Sequence, residues 1–151
     1  MDTALLRALT AHRPSIRTQW EKLLRLDNGI SALARPETLV HLIDTTLDEV
    51  YATLPDWSLR RRLSHPREPA CPCGENPFLA FFAAGRQALQ EGLVTVQAQR
   101  PGLAAPERDA SFACVEQVFC RIARREIEGF CSVCQLRPAG HRGDLRGALV
   151  R

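Results

Sequence analysis

A chain of 151 residues with a net charge of +3, of which 45% are hydrophobic and 6% aromatic, has the make-up of one soluble globular domain. It is long enough to bury a continuous core without a disulfide or metal to hold it together. No stretch approaches the roughly 20 apolar residues of a membrane helix, and Met1-Asp2-Thr3-Ala4-Leu5-Leu6-Arg7 lacks the basic and long apolar regions of a signal peptide. A cytoplasmic location is therefore expected. Lys22 is the only lysine, and this arginine bias is read as the mark of a GC-rich bacterial genome.

Apolar residues recur at helical spacing from the start. Leu5, Leu6 and Leu9 open one face, and Ile16, Trp20, Leu23 and Leu24 continue it beyond Pro14, which either kinks one long helix or divides two short ones. Asn28-Gly29 stops this segment. Pro36 suits the first turn of a second helix, with Leu39, Leu42, Ile43, Leu47, Val50, Tyr51 and Leu54 as its apolar positions and Pro55 as its end.

A long proline-rich connection follows, holding Trp57, Arg60-Arg61-Arg62, His65 and the pair Cys71 and Cys73. Connections of this length inside one domain are uncommon and tend to be functional or disordered; residues 57–63 are candidates for a short helix within it. Asn76-Pro77 then gives an N-cap and a first-turn proline. Phe78, Phe81, Phe82, Gly85, Leu89 and Val96 follow on one face until Pro101-Gly102 breaks the helix.

The last helix is expected after Pro106, with Phe112, Val115, Phe119, Ile122, Ile127 and Phe130 on its apolar side and Cys131 and Cys134 at its end. Residues 135–151, with Pro138, Gly140, Gly143 and several arginines, read as a disordered basic tail. No strand-like alternation interrupts the pattern. The expected fold is all-α, an antiparallel four-helix bundle over residues 1–134 with the long connection between the second and third helices.

The two cysteine pairs carry the chemistry. A short turn at Pro101-Gly102 makes the last two helices antiparallel neighbours. At about 22 and about 26 residues they measure roughly 33 and 39 Å, so the start of one lies beside the end of the other. Cys71, Cys73, Cys131 and Cys134 should therefore meet at one end of the bundle, with Cys131 and Cys134 at the edge of the buried stripe. Pro72 and Gly74 shape the first pair, and backbone N–H groups at the nearby helix start are expected to lower thiol pKa values.

Four thiolates suit tetrahedral zinc or, as the alternative, an iron–sulfur cluster. A redox thiol pair and four unrelated cysteines are the competing readings. His65 and His141 lie near one pair each and could replace or supplement a thiolate, but solvent-exposed loop positions are the favoured reading. Cys114 is expected to point away from the apolar stripe, and Cys120 lies about 16 Å from Cys131 along the axis; both are left outside the site. Glu126, on the apolar stripe, is expected to pair with an arginine.

Enzymatic patterns are absent from the sequence: it has no G-x-S-x-G, H-E-x-x-H, P-loop or dinucleotide fingerprint. Cys131-Ser132-Val133-Cys134 closes a helix, whereas a thioredoxin-type motif opens one, and the deaminase H-x-E is missing. A non-catalytic domain is expected. Arg60-Arg61-Arg62, Arg124-Arg125 and the tail arginines support a second, lower-ranked reading as a nucleic-acid-binding or transcription-associated protein.

Two segments, L-L-R-A-L-T-A-H-R-P-S-I-R-T-Q-W-E-K-L-L-R at residues 5–25 and P-E-T-L-V-H-L-I-D-T-T-L-D-E-V at 36–50, resemble the helical N-terminal sensor domains of the RsbT co-antagonist type. Such domains occur in bacterial stress signalling and before some histidine kinases. The shared features are a helix with a central tryptophan, here Trp20, and a leucine-rich helix after it, all within the first third of the chain. The resemblance implies a non-catalytic sensory domain with a protein partner, often dimeric. It implies no cysteine site, and the output domain that usually follows such sensors is not found in these residues.

Overall fold

The computed structural model describes residues 1–26, 35–57, 71 and 74–134. Among them are six helices and no strand: α1 (Thr3–Ala11), α2 (Arg13–Leu26), α3 (Pro36–Leu39), α4 (Leu42–Thr53), α5 (Pro77–Ala98) and α6 (Ala105–Val133). No helix among the described residues is long and apolar enough to cross a membrane. Asn28-Gly29, the arginine run at 60–62, His65, Pro72, Cys73, the tail at 135–151 and its His141 lie outside the described residues, as does the expected short helix beyond Trp57.

Local chemistry sets the helix ends. The Asp2 carboxylate accepts from the Leu5 N–H at 3.2 Å and caps α1. Pro14 divides the first segment: α1 stops at Ala11, His12 donates to the carbonyls of both Ala8 and Leu9, and α2 resumes at Arg13. The proline has no N–H to carry the ladder across this point.

The second segment is not one helix. Val40 and His41 keep right-handed dihedrals, yet Ile43 N donates to Val40 O, three residues back, rather than four. This tightened turn separates α3 from α4 while leaving Leu39 and Ile43 both buried. The last helix starts at Ala105, with Pro106 inside its first turn, and Glu107 accepts from the Ala104 N–H at 3.0 Å.

The core forms where α2, α4, α5 and α6 face one another, and α1 packs on α5. Trp20 sits at its centre, fully buried, with ring centroids 4.8 Å from Phe81 and 5.7 Å from Phe119. Its indole N–H donates to the carbonyl oxygen of Phe81 at 3.0 Å. That approach depends on Gly85, one turn further along α5, where an added Cβ would lie 2.2 Å from the indole ring. Gly92, two turns beyond Gly85, gives Ile16 the same freedom; a Cβ there would lie 2.5 Å from its side chain. Two glycines facing one way thus bring α2 close against α5.

Polar pairs tie the outer faces. Arg17 bonds Asp44 at 3.0 Å, and Arg13 reaches both Asp44 and Asp48. The Arg17 guanidinium, seconded by Arg13 and opposed by partial burial, holds the Asp44 carboxyl below its ordinary value. A lowered carboxyl pKa contributes stability above the unfolded-state value and loses it as pH falls through the folded one. Asp44→Asn is expected to cost about 0.5–1 kcal/mol at pH 7 in low salt. Denaturant titrations of both proteins should show that gap closing below about pH 4, the ordinary carboxylate range, and a gap independent of pH would refute the assignment.

Candidate metal centre

Hydrogen bonds between α5 and α6 fix their relative direction. Gln97 pairs with Ser111, Gln90 with Glu116, Arg86 with Cys120, and Asn76 with Ile127 and Cys131. As the position on α5 falls, that on α6 rises, so the two helices run antiparallel. With 22 and 29 residues they are close in length, and the start of α5 lies beside the end of α6.

Cys71 and Cys131 meet there. Their thiols are hydrogen-bonding neighbours, and Cys134 lies close enough to act on Cys131 through its charge. All three are half-buried and free of disulfides. Gly74 supplies the turn that leads from Cys71 into α5: its φ is +74°, in the left-handed region, and its N–H donates to the Cys71 carbonyl at 3.2 Å. Of the four expected ligands, Cys71 and Cys131 are thus brought together, Cys134 lies three residues on at the end of α6, and Cys73 falls outside the described residues. Among the described residues, no group of three or more His, Cys, Asp or Glu side chains is arranged to hold a metal ion.

The electrostatics depart from the sequence-based expectation. Burial, followed by the neighbouring thiols of Cys71 and Cys134, pushes the Cys131 thiol pKa up, and the bond from Asn76 opposes the rise. The Phe78 N–H at the helix start is taken by the Asn76 side chain at 2.9 Å. Thiolates crowded together raise one another's pKa by like-charge repulsion.

Asn76 is the residue that sequence reasoning used only as a cap. Its side chain is buried, 3% exposed, and all its polar capacity is directed to this corner. The Oδ1 accepts from Phe78 N; the Nδ2 donates to the Ile127 carbonyl at 3.1 Å and to Cys131 Sγ at 3.4 Å. A single Asn amide carries two N–H donors beside its accepting oxygen, so one side chain can cap the helix and still donate across to α6.

The other cysteines stand apart. Cys114 is fully buried, correcting the expectation that it points away from the apolar face, and burial raises its pKa. Cys120 lies between Arg86 and Glu116, at 3.3 and 3.2 Å; burial and the Glu116 carboxylate push its thiol up to about 11. Both behave as small core residues. Glu126 pairs with its neighbour Arg125, which also grips Glu49 with two bonds of 2.6 and 2.7 Å.

No family model matches the chain, and neither a curated protein nor a solved structure matches it.

Proposed function

We propose that this chain is a non-catalytic sensor or adaptor domain in which Cys71, Cys73, Cys131 and Cys134 bind one metal centre. The observation that carries the reading is the contact between Cys71 and Cys131, thiols from the segment before α5 and from the end of α6. A divalent cation or cluster would offset the crowding of sulfur charge at that point. Zinc is the leading occupant, because four thiolates suit its closed tetrahedral sites. An iron–sulfur cluster is the alternative, and would make the protein a redox carrier or sensor.

The architecture belongs to the same proposal. We read α2, α4, α5 and α6 as an antiparallel four-helix bundle, supported by contacts of α2 with α4 and α5 and of α6 with the same two helices. The centre would fasten the segment before α5 to the end of α6. Gain or loss of metal would then alter a surface offered to a protein partner or to a second copy of the chain. The resemblance to RsbT co-antagonist sensors supports a helical signalling role, and the thiol site would be this chain's own addition to it.

Metal analysis with an ultraviolet–visible spectrum, on protein purified without oxygen, tests the reading. One zinc per chain and no colour is the expected result. Iron with sulfide and a brown chromophore would select the cluster. Protein free of metal that also takes up none when zinc or iron and sulfide are supplied would overturn the site.

A further inference from the structure

We propose that Asn76 is the positioning residue of this thiol centre, holding Cys131 by an N–H···S bond while fixing the start of α5 against the end of α6. The inference rests on the four-cysteine reading above and adds a residue to it.

Three contacts of one buried side chain make the case. The Oδ1 closes the first turn of α5 through Phe78 N. The Nδ2 crosses to α6, where it meets the Ile127 carbonyl and, one turn on, Cys131 Sγ. A cap alone requires only the oxygen, which serine or threonine supplies equally well. The amide donor goes further: it joins two helix termini and places a hydrogen-bond donor on a sulfur that is itself in contact with Cys71.

Donors to a ligating atom orient it and tune its basicity, and losing one typically costs about 10–100-fold in metal affinity. An N–H···S bond also draws electron density from sulfur, so its removal raises the energy of the donor orbital. Sulfur-to-metal charge-transfer absorption should then move to longer wavelength.

Asn76→Ser separates the two roles, because serine keeps the cap but is too short to reach Cys131. The full-length chain, reduced and stripped of metal, is titrated with zinc against a chromophoric chelator, and with cobalt(II) for its spectrum. Zinc affinity is expected to fall about 10–100-fold, and the cobalt charge-transfer band to shift to the red, with helical circular dichroism unchanged. Should serine unfold the protein, Asn76→Thr, a bulkier capping residue, gives the same comparison. Equal affinity and an unmoved band in a folded variant would overturn the role of Asn76 and leave the metal site standing. A wild-type chain that binds neither zinc nor cobalt would overturn the site itself, and this inference with it.

Discussion

Trp20→Ala is expected to remove about 3–5 kcal/mol of folding stability, the cost typical of deleting a large buried aromatic side chain. The indole is fully buried, touches Phe81 and Phe119, and satisfies its N–H on a backbone carbonyl. Truncation therefore loses apolar burial and opens a cavity between α2, α5 and α6 that rigid helices close only in part. The complementary change, Gly85→Ala, adds a single methyl group and is also expected to destabilise. Alanine favours a helix over glycine by about 1 kcal/mol, but here the new Cβ falls inside van der Waals contact of a buried ring. Overpacking of that kind typically costs about 1–3 kcal/mol.

The pair can be tested as a cycle. Trp20→Phe removes the part of the ring system that the Gly85 methyl would strike, so Gly85→Ala should cost less in that background than in the wild type. Chemical denaturation of the four proteins measures the difference. Strictly additive effects would show that α2 and α5 do not meet in the way described.

Cys131→Ser is expected to reduce metal affinity beyond the about 10–100-fold that loss of an outer hydrogen bond costs, since it removes a ligand outright. Cys71→Ser should do the same from the other side of the contact. Cys120→Ser is the informative comparison: it too replaces a cysteine of α6, but one held by Arg86 and Glu116. It should leave the metal-to-protein ratio unchanged. Equal loss of metal in Cys120→Ser and Cys131→Ser would mean that binding follows general thiol content or fold integrity, and would sink the assigned ligand set.

The start of α5 was legible because Asn76-Pro77 combines two independent helix-start preferences, and the convergence of Cys71 with Cys131 followed from helix length and one short turn. The division of α3 from α4 was not legible. No glycine or proline marks Val40-His41, and the change is one of hydrogen-bond spacing within right-handed backbone. Cys114 was misplaced for a different reason. A helical wheel assumes one buried stripe, but α6 packs against both α4 and α5, so its buried arc widens to include Cys114 and Val118. Gly92 gave a signal that was passed over: two glycines seven residues apart within a helix, each unfavourable on propensity alone, mark a face where another element approaches closely. The second use of Asn76 had no local signature, because Ile127 and Cys131 become its neighbours only after α6 has turned back.

The ion pair between Asp2 and Arg100, 3.3 Å apart, fastens the beginning of α1 beyond the last residue of α5. Asn76 and the thiols occupy the other end of that helix, 22 residues or about 33 Å away. A fluorophore attached near residue 2 would therefore sit far from the sulfur cluster while remaining joined to it by one rigid rod. Energy transfer from such a label to a cobalt ion bound at the thiols would report the separation of the two ends of α5, and would change when α5 frays or the Asp2–Arg100 pair opens.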